Sequence, residues 1–155
     1  MNINKNIINN NYKGFTLIEL LLVITIIGVL ATLLAAALNN AREQSRDTRR
    51  LADINKIQQA LELYYYDQGR YPPGSSLVLG DTNTKCLNPS GWQTENCPNA
   101  YIDHIPSNPL PGGMDYTYTF INASDFRIDF ILEHGAGGFS AGPCRGLPAV
   151  VITCP

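Results

Sequence analysis

Between Phe15 and Leu38 the chain carries FTLIELLLVITIIGVLATLLAAAL, 24 residues interrupted by a single charge, Glu19. At 1.5 Å per residue a helix of this length spans about 36 Å, enough to cross a hydrocarbon core of roughly 30 Å. A secretory signal peptide is the alternative, but its apolar region is typically about 7–15 residues, and no small-x-small cleavage site follows this run at the usual distance. The pattern therefore predicts a retained membrane helix. Beyond Leu38 the uniform run gives way to a periodic one. No Pro or Gly occurs until Gly69, and Ala, Arg, Glu, Gln and Leu dominate, all good helix formers. Leu51, Ile54, Ile57, Leu61 and Tyr64 recur at three- and four-residue steps, with Arg49, Asp53, Lys56 and Glu62 assigned to the opposite face. These features predict one helix from about Phe15 to Asp67, roughly 80 Å long. Its amphipathic second half must pack on something. Gly28 is a weak point, costing about 1 kcal/mol relative to Ala. Gly69 and Pro72-Pro73 terminate the helix.

From Tyr71 to Gly113 seven prolines give a loop-like pattern. Alternation then returns. Aromatics alternate with threonines in Tyr116–Phe120, and Phe126, Ile128, Phe130 and Leu132 fall on one face of the next run. Ile121–Asp125 supplies the turn between them, and Ala149–Thr153 reads as a third short strand. The expected fold class is α+β: a long N-terminal helix, membrane-spanning and then amphipathic, packed on a small antiparallel sheet.

Composition narrows the function classes. At 155 residues there is room for one ordinary domain beside the apolar segment. The net charge of −2 gives no broad electrostatic case for nucleic-acid binding. Contact with DNA through Arg42, Arg46, Arg49 and Arg50 is one reading of that basic cluster, and salt bridges to neighbouring subunits are the plainer one. The segment before the apolar run is Asn-rich, carries Lys5 and Lys13, and has no acidic residue. Because the arginines lie just beyond the run, charge alone leaves the topology open.

Cys86, Cys97, Cys144 and Cys154 all follow the apolar segment, and an even count points to two disulfides in an oxidising compartment. Of the three pairings, Cys86 with Cys97 and Cys144 with Cys154 is preferred, because each closes a short loop rich in Gly, Pro or Asn. Neither spacing resembles a structural zinc site, so no metal is expected. A membrane-anchored enzyme using His104 or His134 with a cysteine is the different-class alternative. No motif supports it, and no catalytic residue is assigned.

A carboxylate within an apolar run is expensive, which makes Glu19 the most informative residue. It sits in the frame Lys13-Gly14-Phe15-Thr16-Leu17-Ile18-Glu19-Leu20. That string, followed by an uninterrupted apolar run, resembles the signal of type IV prepilins and of type II secretion pseudopilins. The helix exit Tyr64–Pro73 resembles that of the major pseudopilin and similar pilins, and the segment Ile105–Leu110 is similar to the same group. The resemblance implies cleavage by a prepilin peptidase between Gly14 and Phe15 and N-methylation of the new amino terminus at Phe15. It also implies an assembly role for Glu19, whose carboxylate would pair with the ammonium of a neighbouring subunit. On this reading residues 1–14 are the leader, 15–38 the membrane and filament-core helix, and 39–155 a pilin head that includes the amphipathic half of the helix. The leader is cytoplasmic, the helix crosses the bacterial inner membrane once, and the head lies outside.

The resemblance further implies a structural, non-enzymatic subunit of a helical homopolymer, with an assembly platform and motor as partners. The expected assembly is a type IV pilus at the cell surface, serving adhesion, motility or DNA uptake; the alternative is the periplasmic pseudopilus of a type II secretion system. Two departures stand out. Where many pilins have a proline this chain has Ala36. Relatives also often bind calcium in a late loop, whereas residues 133–148 offer one carboxylate, Glu133, too few for an oxygen-rich site. No cofactor is therefore expected, and Cys144–Cys154 is assigned the stabilising role.

Overall fold

The apolar run and the periodic stripe fall on one element of the computed structural model, helix α1 over Leu17–Gln68. Residues 14–95 and 97–154 are described; the leader up to Lys13 and the side chain of Ala36 lie outside the described residues. Contacts divide the chain into two units, 1–38 and 39–155.

In the first unit every large apolar side chain from Phe15 to Leu38 is exposed. Thr25 and Thr32 turn their hydroxyls onto the carbonyls of Leu22 and Val29, so their polar groups are satisfied within the helix. Among the described residues this apolar stretch is left uncovered on all sides, as in a helix that spans lipid or packs against other helices. It is the one candidate membrane span among the described residues.

In the second unit the helix has a buried face of Ile54, Ile57, Leu61 and Tyr64. It ends where Gly69 adopts φ of 69°, a left-handed conformation that a side chain disfavours. The Gly69 N–H closes the last turn on the Tyr65 carbonyl at 2.8 Å. Among the described residues seven strands follow: β1 (Leu77–Val78), β2 (Cys86–Asn88), β3 (Gly91–Gln93), β4 (Thr117–Asn122), β5 (Asp125–Leu132), β6 (Gly142–Leu147) and β7 (Val151–Thr153). β2 and β3 form a two-stranded ribbon, and the others form a five-stranded antiparallel sheet in the order β1-β4-β5-β6-β7.

Strand β5 alternates strictly, burying Phe126, Ile128, Phe130 and Leu132, while β4 buries Tyr118. These side chains form one core with the helix face. Gln58 ties the far end of the sheet to α1, its amide donating to the carbonyls of Leu147 (2.7 Å) and Val151 (2.9 Å). Trp92, from the proline-rich segment, meets Tyr118 edge-on at 4.9 Å.

Four details depart from the sequence expectation. The segment expected as a loop from Tyr71 to Gly113 contains three short strands. The loop 133–148 contains β6, whose Gly142-Pro-Cys-Arg-Gly-Leu147 has no apolar alternation to mark it. The third expected strand starts only at Val151, because Ala149 and Val150 make a turn with φ of 59° and 58°. Asp53, expected on the outward helix face, is instead buried and accepts the Tyr116 hydroxyl at 3.2 Å. The cysteines are joined Cys86–Cys97 and Cys144–Cys154.

Candidate functional site

Gly14, Phe15 and Thr16 precede the helix, and Phe15 is exposed. A side chain at Gly14 would meet nothing within 4 Å among the described residues.

Thr16 is the residue just before α1, and Glu19 is three positions later, the spacing of a reciprocal capping box. The Glu19 carboxylate accepts the Thr16 N–H at 2.9 Å and the Thr16 hydroxyl at 2.8 Å, and the Glu19 N–H donates to Thr16 Oγ1 at 3.3 Å. The carboxylate is thereby fixed at the helix N-terminus, where the aligned backbone dipoles favour negative charge. Sequence reasoning singled out Glu19 but missed Thr16, although Thr-x-x-Glu ahead of an apolar run was the signal. The arrangement can present a carboxylate beside residue 15 to a cation on another molecule.

A second polar constellation lies in the head, and sequence reasoning did not find it. Arg46, Asp47 and Arg50 on α1 meet Glu133, the residue just past β5. Asp47 and Arg50 are fully buried. The Asp47 carboxylate accepts three consecutive backbone N–H groups, from Glu133 (2.9 Å), His134 (2.8 Å) and Gly135 (2.8 Å). Its other partner is Arg50 at 2.7 Å. Glu133 pairs with Arg46 at 2.5 Å and with Arg50 at 2.6 Å. Two guanidinium groups therefore face two carboxylates, and each partner compensates the desolvation of the others.

The same contacts set the acidities. Burial alone would raise the Asp47 carboxyl, but the three N–H groups and Arg50 outweigh it and hold that carboxyl below its ordinary value. The bond from Arg46 lowers Glu133, against some desolvation, with Arg50 adding to it. A carboxyl whose folded pKa is depressed contributes stability above its unfolded pKa and loses it as pH falls through the folded value. The expected outcome is a head whose melting temperature is flat near neutral pH and drops progressively below about pH 4, where free Asp and Glu carboxyls protonate. A pH series followed by circular dichroism checks this, and Asp47→Asn should flatten the acid limb.

The remaining candidates do not converge. His134 lies 4.0 Å from Glu43 on the surface, and His104 lines a separate shallow depression with Lys56 and Tyr101. All four cysteines are bonded, so neither histidine has a thiol beside it. In the late loop Glu133 is engaged by Arg46 and Arg50, and among the described residues no group of three or more His, Cys, Asp or Glu side chains is placed to hold a metal ion.

Two family models match the chain. The prokaryotic N-terminal methylation motif covers residues 9–35, and the type II secretion system protein G model covers residues 37–143. The type II secretion system core protein G of Escherichia coli strain K12 is 32% identical over 134 residues, covering 84% of this chain and 81% of that protein. The protein of the same name from Vibrio cholerae is 29% identical over 133 residues, covering 86% of each. That of Pectobacterium carotovorum is 32% identical over 105 residues, which is 67% of this chain and 64% of that protein's length. These relatives bear the name of a secretion-system component and not of an enzyme. No solved structure matches the chain.

Proposed function

Because this chain belongs to the type II secretion system protein G family, we propose that it is a structural subunit of the pseudopilus, a short periplasmic filament that helps a secretion system export folded proteins. The observation that carries the reading is the apolar run from Phe15 to Leu38, exposed along every large apolar side chain with Glu19 as its one charge. Such a surface requires a lipid or protein environment, and a polymer offers both in turn. Of the two assemblies expected from the sequence, the pilus yields to the pseudopilus, because the head matches the secretion family over residues 37–143.

The mechanism follows from charge and burial. The leader is cytoplasmic, and a prepilin peptidase cuts between Gly14 and Phe15, creating an ammonium on Phe15 that is then methylated. Glu19, held by Thr16, brings a carboxylate to a similar depth. Each charge is costly in an apolar setting, and an ion pair between adjacent subunits offsets part of both costs. Subunits extracted from the inner membrane by the assembly platform and its motor therefore join at one axial offset, with apolar helices inside and heads outside.

Two experiments test the reading. Gly14→Leu should leave an uncut, membrane-held precursor on co-expression with a prepilin peptidase, whereas the unchanged chain should give a peptide starting at methylated Phe15 by mass spectrometry. Efficient cutting of the leucine variant would refute the site. Deleting the gene should strand folded secretion substrates in the periplasm. Normal secretion, with the protein recovered from long sheared surface filaments, would return the assignment to a pilus.

A further inference from the structure

Arg50 is the largest of the fully buried side chains, and its guanidinium is surrounded by oxygen. Nε donates to Asn108 Oδ1 at 2.7 Å, and Nη1 reaches Asp47 Oδ1 at 2.7 Å and Glu133 Oε1 at 2.6 Å. Nη2 donates to the carbonyls of Pro109 and Gly112, both at 3.0 Å. Five oxygens thus converge on one buried cation: two carboxylates, one side-chain amide and two main-chain carbonyls. This is the ligand chemistry of a hard divalent cation such as calcium, supplied from three separate parts of the chain. The main chain is shaped to the group it encloses. Gly113 has φ of 72°, and a Cβ there would lie 2.7 Å from Nη2.

We propose that Arg50 is a tethered cation: its guanidinium holds within the chain an oxygen cage of the kind that a divalent ion fills, so that the head folds without calcium. The cage draws the proline-rich segment at 108–112 and the start of the late loop at 133 onto one turn of α1. A covalently attached charge does this at any external ion concentration, whereas a bound ion does so only above its dissociation constant. The inference does not depend on which filament the chain enters.

The test uses the full chain in detergent micelles, with calcium or a calcium chelator added and thermal unfolding followed by circular dichroism. The unchanged protein should melt at the same temperature in both. A specific ion present at about a hundred times its dissociation constant raises a melting temperature by roughly 5–10 °C in a chain of this size, and such a rise would overturn the proposal. Arg50→Ala empties the cage and leaves its carboxylates short of one positive charge. That variant should melt lower than the unchanged protein and recover part of the loss with calcium; a folded variant indifferent to calcium would overturn the cage. Should Arg50→Ala not fold, Arg50→Lys provides the readout. A lysine ammonium has three donors for five oxygens, so this variant should melt lower than the unchanged protein and remain indifferent to calcium. Equal stability of the lysine variant would show that the five-oxygen fit is immaterial and end the proposal.

Discussion

Glu19→Val is expected to leave the protein inserted in the membrane and nearly abolish its recovery in filaments. Insertion should survive because valine removes the one charge from the run between Phe15 and Leu38 and makes it more apolar. Assembly should fail for two reasons that separate experimentally. The carboxylate is the proposed partner of the neighbouring ammonium, and its loss leaves that ammonium uncompensated in an apolar core. The half of the capping box that the carboxylate supplies also disappears, while the N–H of residue 19 keeps Thr16 Oγ1 as its acceptor, so the first turn loosens at a cost below about 1 kcal/mol. Glu19→Gln distinguishes them, since glutamine retains a capping acceptor but carries no charge. If the ion pair dominates, both variants assemble poorly; if the cap dominates, glutamine assembles nearly normally. Filament yield and Phe15 methylation, measured on the same membranes, give the answer. Full yield with full methylation for valine would dispose of the assembly role.

The second large effect lies in the head. Asp47→Ala removes four partners at once: three consecutive N–H groups at 133–135 and one pairing with buried Arg50. Breaking a buried pair from one side typically costs about 3–5 kcal/mol, because the remaining charge stays buried without compensation. For a domain of this size the melting temperature should fall by roughly 10 °C or more. The double variant Asp47→Ala, Arg50→Met replaces the orphaned cation by an apolar chain of similar length and should be less destabilised than the single one. A loss below about 1 kcal/mol in Asp47→Ala, from denaturant midpoints, would mean that the late loop is held by something else.

Legibility from the sequence followed the strength of periodicity. The helix was predicted over about Phe15 to Asp67 and is found over Leu17–Gln68, because a long run without Gly or Pro ahead of Gly69 leaves little alternative. Strand β5 was read from Phe126, Ile128, Phe130 and Leu132 because one face is buried and the other is not. Strand β6 escaped because Gly142, Pro143 and Gly146 remove the side chains that carry such a pattern, and its pairing with β5 and β7 is decided by neighbours far along the chain. The apolar stripe marks the seam only from Leu51 onward, and the buried pair lies before it. Asp47 and Arg50 continue the three- and four-residue steps of Ile54, Ile57 and Leu61 back toward the amino terminus. A charged pair at two consecutive seam positions was the available signal, obscured because Arg42, Arg46 and Arg49 nearby made the region look solvated. Glu133, its partner 83 positions beyond Arg50, could not be assigned from local pattern at all.

The way the cysteines are joined bears on how the protein matures. Both bonds link nearest neighbours in sequence, with separations of 11 and 10 residues, and neither ties the helix to the sheet. In an unfolded chain the chance that two thiols meet falls with roughly the three-halves power of the loop between them, so these pairs encounter each other about tenfold more often than the distant alternatives. Chain statistics and the folded structure therefore favour the same partners. On the proposed topology, an oxidase meeting the polypeptide outside the membrane can close both loops before the amphipathic half of α1 has docked, so the demand for reshuffling misjoined pairs is small.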